Sequence, residues 1–541
     1  MTGGERLVRA LEAAGVEVAF GLPGVHNLAI WRALAESPIR LVGVRHEQAA
    51  AYAADGYART SGGVGVALVT TGPGAANAVG ATGEAWACGS PIVVIATDIP
   101  AALRRPGVYR GVLHETTDQA RMFEPVTKAQ LRVGEPGMIA ALAEAAMQIA
   151  LAPPSRPVYL EIPTDMLSAE VEVREVETSD WHVYPPVEEA DLEPAVELIG
   201  AARRPLVWAG GGAMRASAGA TVGALAERIG APVITTYQAA GLLGRDHPCD
   251  VGLPQFIPEV GALWDDADLV IAVGSDLDGT STQNWAQPRP PRLLAVNVDA
   301  ADAAKNYEPD VVVVGDARAV CEALAARVRR RDGMPDLEQL RERAWTRLDA
   351  EEPDAVEFLR SVARALPDEA VVVCDMCIPG YWLGGFYRPP APRRLLYPLG
   401  WGTLGCAFPQ ALGAALAGSG PAVSFSGDGG FLYAVGELAT MAQEQIPLTA
   451  VIVDDGGYGM LRYDQRQKGD PPYGVDLTTP DFEALSRTFG IEAETVTGLS
   501  ADFASALAHH VQDPRPSVLV ARAELTPPPN TSPRWYRKAR S

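Results

Sequence analysis

The sequence predicts an α/β protein built from three doubly wound parallel-sheet domains in series. Three observations predict it. The chain has 541 residues, enough for about three domains of roughly 100 to 200 residues each. Short β-branched apolar runs alternate with helical stretches, and Gly-rich turns stand at the ends of those runs. Alternation of this kind covers both faces of a parallel sheet with helices, so its strands read as continuous apolar runs.

The start, residues 1–15, alternates charged with apolar residues and carries no continuous apolar stretch, so it reads as a retained helix and not as a leader. Residues 16–20 read as a strand ending at Gly21-Leu-Pro-Gly24, 41–44 as a second running into a helix from His46, and 64–70 as a third ending at Gly72-Pro-Gly74. Pro153, Pro154 and Pro157 lead into 158–162, the expected last strand of this unit, and the acidic stretch 170–189 reads as a linker. A second unit opens at Pro205 and the turn Gly210-Gly-Gly212, with strands near 233–236, 269–273 and 294–298, and closes around 311–315. Arg329-Arg-Arg-Asp-Gly333 reads as a second linker. A third unit places strands at 370–373, 422–426 and 448–453. The expected domains are therefore residues 1–170, 190–330 and 350–525, followed by a tail over 526–541 whose Arg534, Arg537, Lys538 and Arg540 suggest no chemistry.

Composition narrows the function classes. Lys and Arg total 45 against 67 Asp and Glu, a net charge of −22, and such a surface repels phosphate backbones and anionic lipid headgroups. Nucleic-acid and membrane partners are not expected. Hydrophobic residues at 48% and charged residues at 21% suit a folded globular chain. Six scattered cysteines fit no disulfide framework and suit a reducing cytoplasm. Cys374 and Cys377 have redox-motif spacing, yet no second pair completes a zinc site, and we read their placement as chance.

The segment richest in chemistry is Ser426-Gly-Asp-Gly-Gly-Phe431, between an expected strand and an expected helix; a second strand ends at Asp454-Asp-Gly-Gly-Tyr-Gly-Met460. Glycines at a strand end let backbone amides approach a phosphate, and carboxylates from two neighbouring strand ends can share a hard cation. Alone, Gly427-Asp428-Gly429 is also an ordinary tight turn. The second acidic Gly-rich strand end turns the pair into a plausible magnesium diphosphate site.

This pair resembles the diphosphate signature of thiamine diphosphate-dependent enzymes, the superfamily of acetohydroxyacid synthase, benzaldehyde lyase and benzoylformate decarboxylase. The resemblance implies thiamine diphosphate and Mg²⁺ as cofactors, with Asp428, Asp455 and the Gly457 carbonyl on the metal. It also implies that Gly427, Gly429, Gly430, Tyr458, Gly459 and Met460 line the cofactor. This chain departs from the family by carrying Asp454-Asp455 where the signature ends in Asn-Asn. Far upstream, Arg45-His-Glu-Gln-Ala-Ala-Ala-Tyr52 resembles the family's glutamate segment, with Glu47 as the carboxylate on the aminopyrimidine; by position alone, Glu47 also suits a helix first turn. In the family that glutamate shares a proton with the ring nitrogen, so that the cofactor's imino group can deprotonate the thiazolium and leave a carbanion equivalent. Gly400-Trp-Gly-Thr-Leu-Gly405 resembles the segment that props the folded cofactor, implying Leu404 as the prop and the Gly402 carbonyl on the amino group. The implied domains are pyrimidine-binding, central and diphosphate-binding. The family's cofactor lies between subunits, so a homodimer or homotetramer is implied.

Gly21-Leu-Pro-Gly-Val-His26 resembles the loop that supplies an active-site histidine in benzaldehyde lyase. Leu113-His-Glu115 through Gln119 resembles the segment where carboligases place a glutamine. His26 and His114 are thus candidates for moving protons to and from substrate oxygens. The adjacent-His pair of pyruvate decarboxylase is absent around position 114, and Asp464 stands about where acetohydroxyacid synthases carry an acceptor-selecting Trp. Residues 458–463 look closer to benzoylformate decarboxylase. Gly210-Gly-Gly212 fails G-x-G-x-x-G spacing and Gly279-Thr-Ser281 lacks the Arg of flavin-bearing relatives, so no functional flavin (FAD) is expected. The leading expectation is a carboligase or lyase acting on a 2-oxo acid, aldehyde or acyloin. A non-oxidative 2-oxo acid decarboxylase is the alternative, and a non-catalytic thiamine-binding paralogue stands further off.

Overall fold

Each apolar run expected to be a strand lies in one of three parallel sheets. The computed structural model describes residues 1–171, 187, 189–331, 333–418 and 420–529. Most of the expected 170–189 linker, and the four basic residues of the tail, lie outside the described residues.

The first sheet holds β1 (Val18–Gly21), β2 (Arg40–Gly43), β3 (Gly65–Val69), β4 (Ile92–Asp98), β5 (Ala129–Arg132) and β6 (Val158–Pro163), in the order β2-β1-β3-β4-β6-β5. The second holds β7 (Pro205–Ala209), β8 (Val233–Thr235), β9 (Leu269–Val273), β10 (Leu293–Asn297) and β11 (Val311–Val314), in the order β11-β10-β9-β7-β8. The third holds β12 (Val371–Cys374), β13 (Leu395–Leu396), β14 (Ala422–Gly427), β15 (Leu448–Asp454), β16 (Glu492–Thr497) and β17 (Ser517–Arg522), in the order β13-β12-β14-β15-β17-β16. The first and third sheets therefore share one topology. In each, the winding direction reverses between the first strand and the third, which opens a crevice at their carboxyl ends. In the first sheet the loops after β1 and β3 carry His26 and Gly72 to Gly74; in the third, those after β12 and β14 carry Asp375 and Asp428.

Sequence reading overlooked β4, β5, β13, β16 and β17. Strand β16 is an edge strand whose Glu492, Glu494 and Thr497 face solvent, so it lacks the continuous apolar run that marks the interior strands. Strand β13 is two residues long. Strand β4, by contrast, is buried throughout, and its run Ile92-Val-Val-Ile-Ala96 was legible. Arg331, read as linker, is docked: its guanidinium donates to the carbonyls of Ile199, Gly200 and Ala202.

The first and third domains share a hydrophobic core, and their contact is a close helix crossing. The helix Glu47–Ser61 lies on the helix Ala407–Leu416. A Cβ at Gly56 would strike the Gln410 carbonyl, and one at Gly413 the Ala53 carbonyl, so glycine on each helix is what lets the backbones approach. Gln410 Nε2 donates to Asp55 Oδ2 at 2.7 Å inside this seam. At the head of the first helix, the buried Glu437 of the third domain accepts from the Arg45 and His46 amides at 3.0 and 3.1 Å. An acceptor there satisfies amides that have no partner within the helix and complements its dipole.

Candidate active site

A cavity of about 210 Å³ opens at the carboxyl ends of β12, β14 and β15. Gly402, Leu404, Gly427, Asp428, Gly429, Gly430, Asp455, Gly457, Tyr458, Gly459 and Met460 all line it, so every third-domain residue that the resemblance implied for cofactor or metal comes to one place. The glycines are there because neighbours press on the backbone. A Cβ at Gly429 would sit 2.6 Å from the Tyr458 ring, one at Gly430 2.8 Å from Asp375 Oδ2, and one at Gly457 would meet the Val475 carbonyl. The 456–458 loop is tied to its neighbour by Tyr458 N donating to Val475 O at 2.8 Å and Leu477 N to Gly456 O at 2.9 Å.

Two carboxylates face this space with acceptor capacity to spare. Asp428 Oδ1 accepts from its neighbour, Gly429 N, at 2.7 Å, while its Oδ2 is buried without a donor. Asp455 Oδ1 is buried and unpartnered as well. Burial, then the Asp455 and Asp454 carboxylates, push the Asp428 carboxyl up from its ordinary value; burial pushes Asp455 up, opposed by the Arg462 guanidinium. Anionic oxygens crowded together without donors are what a divalent cation relieves. Among the described residues no group of three or more His, Cys, Asp or Glu is placed to hold a metal. Two carboxylates and a carbonyl would need phosphate oxygens to complete a shell, the usual manner of Mg²⁺ binding with a diphosphate. The residues fit a metal that arrives with its diphosphate.

The loop bearing Leu404 is held from two sides. Thr403 donates to Glu84 of the first domain through its amide at 3.0 Å and through its hydroxyl. Gly405 N donates to Asp375 at 2.9 and 3.0 Å. Asp375 is fully buried and its carboxyl is pushed up to about 7, by burial first, with donation from the Met376 and Gly405 amides opposing. Sequence reading missed both Asp375 and Glu84. Asp375 ends a legible strand, as Asp428 does, and that position was the available signal; Glu84 inside a helix gave none.

A second group of candidates surrounds the 70–74 loop of the first domain. Glu47 is the first residue of its helix and is buried; its Oε2 accepts from Asn77 Nδ2 at 2.9 Å, and its Oε1 lies 3.2 Å from where a Gly74 Cβ would be. His26 Nδ1 and Thr71 Oγ1 share a hydrogen bond of 2.8 Å, and Thr71 shares a further one with Thr97 at 2.9 Å. The His26 and His114 rings meet edge to face with centroids 5.3 Å apart. His114 has a left-handed φ of 66°, and its Nδ1 is buried without a partner. Burial, then the neighbouring His114, press the His26 pKa below its ordinary value. Gln119 is buried with both ends of its amide engaged: it accepts from Gly72 N at 2.6 Å and donates to Thr97 O at 2.9 Å and Tyr159 OH at 2.8 Å. It braces the loop. Glu47, His26 and His114 are not among the residues lining the third-domain cavity of their own chain.

Elsewhere, the turn Gly210–Gly212 packs on Gly274, with Gly212 N donating to Gly274 O at 2.9 Å, and a Cβ at Gly210 or Gly212 would strike Gly274. The turn also borders a larger cavity of about 350 Å³ at the carboxyl ends of β7, β9 and β10, which Arg156 and Arg215 reach as well. Cys374 and Cys377 are free thiols pushed up by burial, the opposite of a reactive thiolate. No described helix is long and apolar enough to cross a membrane.

Three parallel-sheet α/β domains with a glycine-cradled acidic cavity define a thiamine pyrophosphate enzyme, and the comparisons agree. Family models for the N-terminal TPP binding domain, the central domain and the C-terminal TPP binding domain of thiamine pyrophosphate enzymes match residues 1–122, 192–324 and 377–521. The chain belongs to this family. It is 37% identical over 505 residues to a probable 2-ketoarginine decarboxylase of Pseudomonas aeruginosa, covering 91% of this chain and 88% of the relative. It is 30% identical over 528 residues to a probable acetolactate synthase large subunit of Methanocaldococcus jannaschii (92% and 88% covered). It is 32% identical over 523 residues to the acetolactate synthase large subunit of Corynebacterium glutamicum (92% and 83%). It is thus a thiamine pyrophosphate-dependent enzyme homologous to acetolactate synthases and to a probable 2-ketoarginine decarboxylase.

Proposed function

We propose that the protein uses thiamine diphosphate and Mg²⁺ to break or make the carbon–carbon bond beside a carbonyl. In this reading it takes a 2-oxo acid or acyloin donor and passes the acyl fragment to an aldehyde or 2-oxo acid acceptor. The observation that carries the reading is the convergence of the unpartnered Asp428 and Asp455 oxygens, the glycine cradle and Leu404 on one cavity. When bound, the cofactor would supply an electron sink for the carbonyl carbon itself, so that this carbon can keep the electron pair when its bond to a neighbouring carbon breaks. Asp428 and Asp455 would hold the metal together with the Gly457 carbonyl, and Gly427, Gly429 and Gly430 leave room for the diphosphate. Leu404 and Met460 would support the thiazolium, and the Gly402 carbonyl would accept from the amino group. Glu47, oriented by Asn77, would hold the proton on the pyrimidine nitrogen; His26 and His114 would move protons at substrate oxygens.

Glu47 and both histidines stand apart from the cavity of their own chain, which supports a site completed by a second copy, hence a homodimer or homotetramer. The free thiols support a cytoplasmic location. The reading needs no flavin: the glycine spacing at 210–212 is not that of a dinucleotide turn.

A second reading, a non-oxidative 2-oxo acid decarboxylase that releases an aldehyde, is favoured by the 37% identical relative, a probable 2-ketoarginine decarboxylase, and by the paired histidines, since it differs only in capture by a proton. CO₂ release from aliphatic, aromatic and guanidino 2-oxo acids, with and without thiamine diphosphate and Mg²⁺, tests both. Cofactor-dependent CO₂ with acyloin products supports ligation, and free aldehyde alone supports decarboxylation. No CO₂ from any acid, and no cleavage of hydroxy-ketones, would leave a non-catalytic thiamine-binding protein.

A further inference from the structure

The acidic pair at 454–455 raises a question that the family pattern does not answer. A diphosphate already brings negative charge to a site where Asp428 supplies one carboxylate, and Asp455 adds another where the signature has a neutral amide. Of the charged side chains acting on Asp455, Asp454 and Glu524 are anionic and worsen the excess; Arg462 is cationic. Arg462 lies one turn into the helix Gly459–Lys468 and is 8% exposed. Its Nη1 donates to the Asp455 carbonyl at 3.2 Å, its Nε donates to Asp476 Oδ1 at 2.8 Å, and its Nη2 lies 2.9 Å from where a Gly457 Cβ would be. The guanidinium thus sits against the Asp455–Gly457 loop. Arg462 and Asp455 also share the lining of a second cavity of about 210 Å³, with Glu352, Asp354, Arg466 and Glu524 around it. The Asp476 carboxylate that Nε engages is 69% exposed, so water screens its charge, while both Nη atoms lie against the Asp455–Gly457 loop.

We propose that Arg462 is a positioning residue of the metal–diphosphate site: it holds the Asp455–Gly457 loop by the Asp455 carbonyl and offsets the extra charge that Asp455 brings, so that an acidic pair remains compatible with a diphosphate. The proposal rests on the thiamine diphosphate and Mg²⁺ reading above. It makes Asp455 and Arg462 energetically coupled toward the ligand, and a tether alone would leave them independent.

The test is calorimetric titration of thiamine diphosphate, at saturating Mg²⁺, into the full-length protein and its Arg462→Gln, Asp455→Asn and double variants, with thermal unfolding of each. The proposal expects Arg462→Gln to weaken binding roughly tenfold or more, and the double variant to bind within about threefold of Asp455→Asn. Arg462→Lys, which keeps the charge and loses the fork, should retain most of the affinity and serves if the Gln variant does not fold. An equal loss from Arg462→Gln whether or not Asp455→Asn is also present would overturn the charge-offset role. Absence of any binding to the unaltered protein would instead overturn the cofactor reading, and the inference with it.

Discussion

Glu84 in the first domain accepts the amide of Thr403 in the third at 3.0 Å, together with the Thr403 hydroxyl. Thr403 precedes Leu404 on the cavity wall, so a buried first-domain carboxylate sets the height of a residue that lines the third-domain cavity. Asp375 fixes the other flank through Gly405 N. Glu84→Ala removes the acceptor of both Thr403 donors, which are half-buried, so the cost is at the low end of the roughly 1–3 kcal/mol of a buried orphaned group. We expect weaker thiamine diphosphate binding and a lower unfolding temperature, with Glu84→Gln milder because it keeps an acceptor. Cofactor titration and thermal denaturation check this.

Glu47→Gln should abolish turnover while leaving the fold intact, because the Glu47 carboxylate is held by the side chain of Asn77, whose hydrogen bond a Gln carbonyl can still accept. Mixing this variant with Asp428→Asn tests whether two chains build each site. Neither variant should turn over alone, yet a random mixture of dimers should recover about a quarter of wild-type activity, one good site in each hybrid. No recovery after verified subunit exchange would place both residues in one chain's site.

The acid limb of the rate profile should lie below the usual histidine value of 6.5, because burial and His114 press His26 downward. The neutral form is then kept as the pH falls to more acidic values than a free imidazole allows. His114→Asn removes one of those influences and should shift the limb upward, and His26→Asn should lower kcat more than it alters KM. A pH–kcat/KM series on the three proteins decides the matter; a limb that stays in place when His114 is replaced would contradict the pairing.

Burial, with the Asp98 carboxylate next, raises the Glu161 carboxyl to about 7 despite Arg132. In the unfolded chain it ionises near 4.5, so folding is favoured by its protonated form. That contribution is complete below about pH 4.5 and is lost as the pH rises through about 7, up to about 3 kcal/mol by linkage. Glu161→Gln should flatten this part of the stability curve and raise stability at pH 8. Denaturant melts at pH 5 and pH 8 measure it.

Gly413→Ala should destabilise the contact between the first and third domains by about 1–3 kcal/mol, since the added methyl runs into the Ala53 carbonyl. Gly418→Ala, where a Cβ meets nothing within 4 Å but φ is +68°, offers a contrast: a modest penalty from backbone conformation alone. Comparative thermal unfolding separates the two causes.

The fold class and the glycine-rich acidic segments that line the third-domain cavity were legible in the chain's local order. Strand ends followed by Gly427-Asp-Gly-Gly430 and Asp455-Gly-Gly-Tyr-Gly459 are local signals: a glycine is required where the backbone turns sharply or is approached closely, and an apolar run marks a strand buried on both faces. Edge strand β16 escaped notice because half of it faces water. The remaining features emerge only on folding, since they join residues far apart in the chain. Glu84 and Thr403 are 319 positions apart, Gln410 and Asp55 355, and Arg45 and Glu437 392; no window on the sequence shows that such groups share a hydrogen bond. The same holds for His26 and His114, which meet because the 70–74 loop brings their separate segments together, and for Arg462, whose charge matters only because folding sets it against the Asp455–Gly457 loop. Local conformation is encoded in neighbouring residues, whereas burial and electrostatic partnership are set by which distant faces pack.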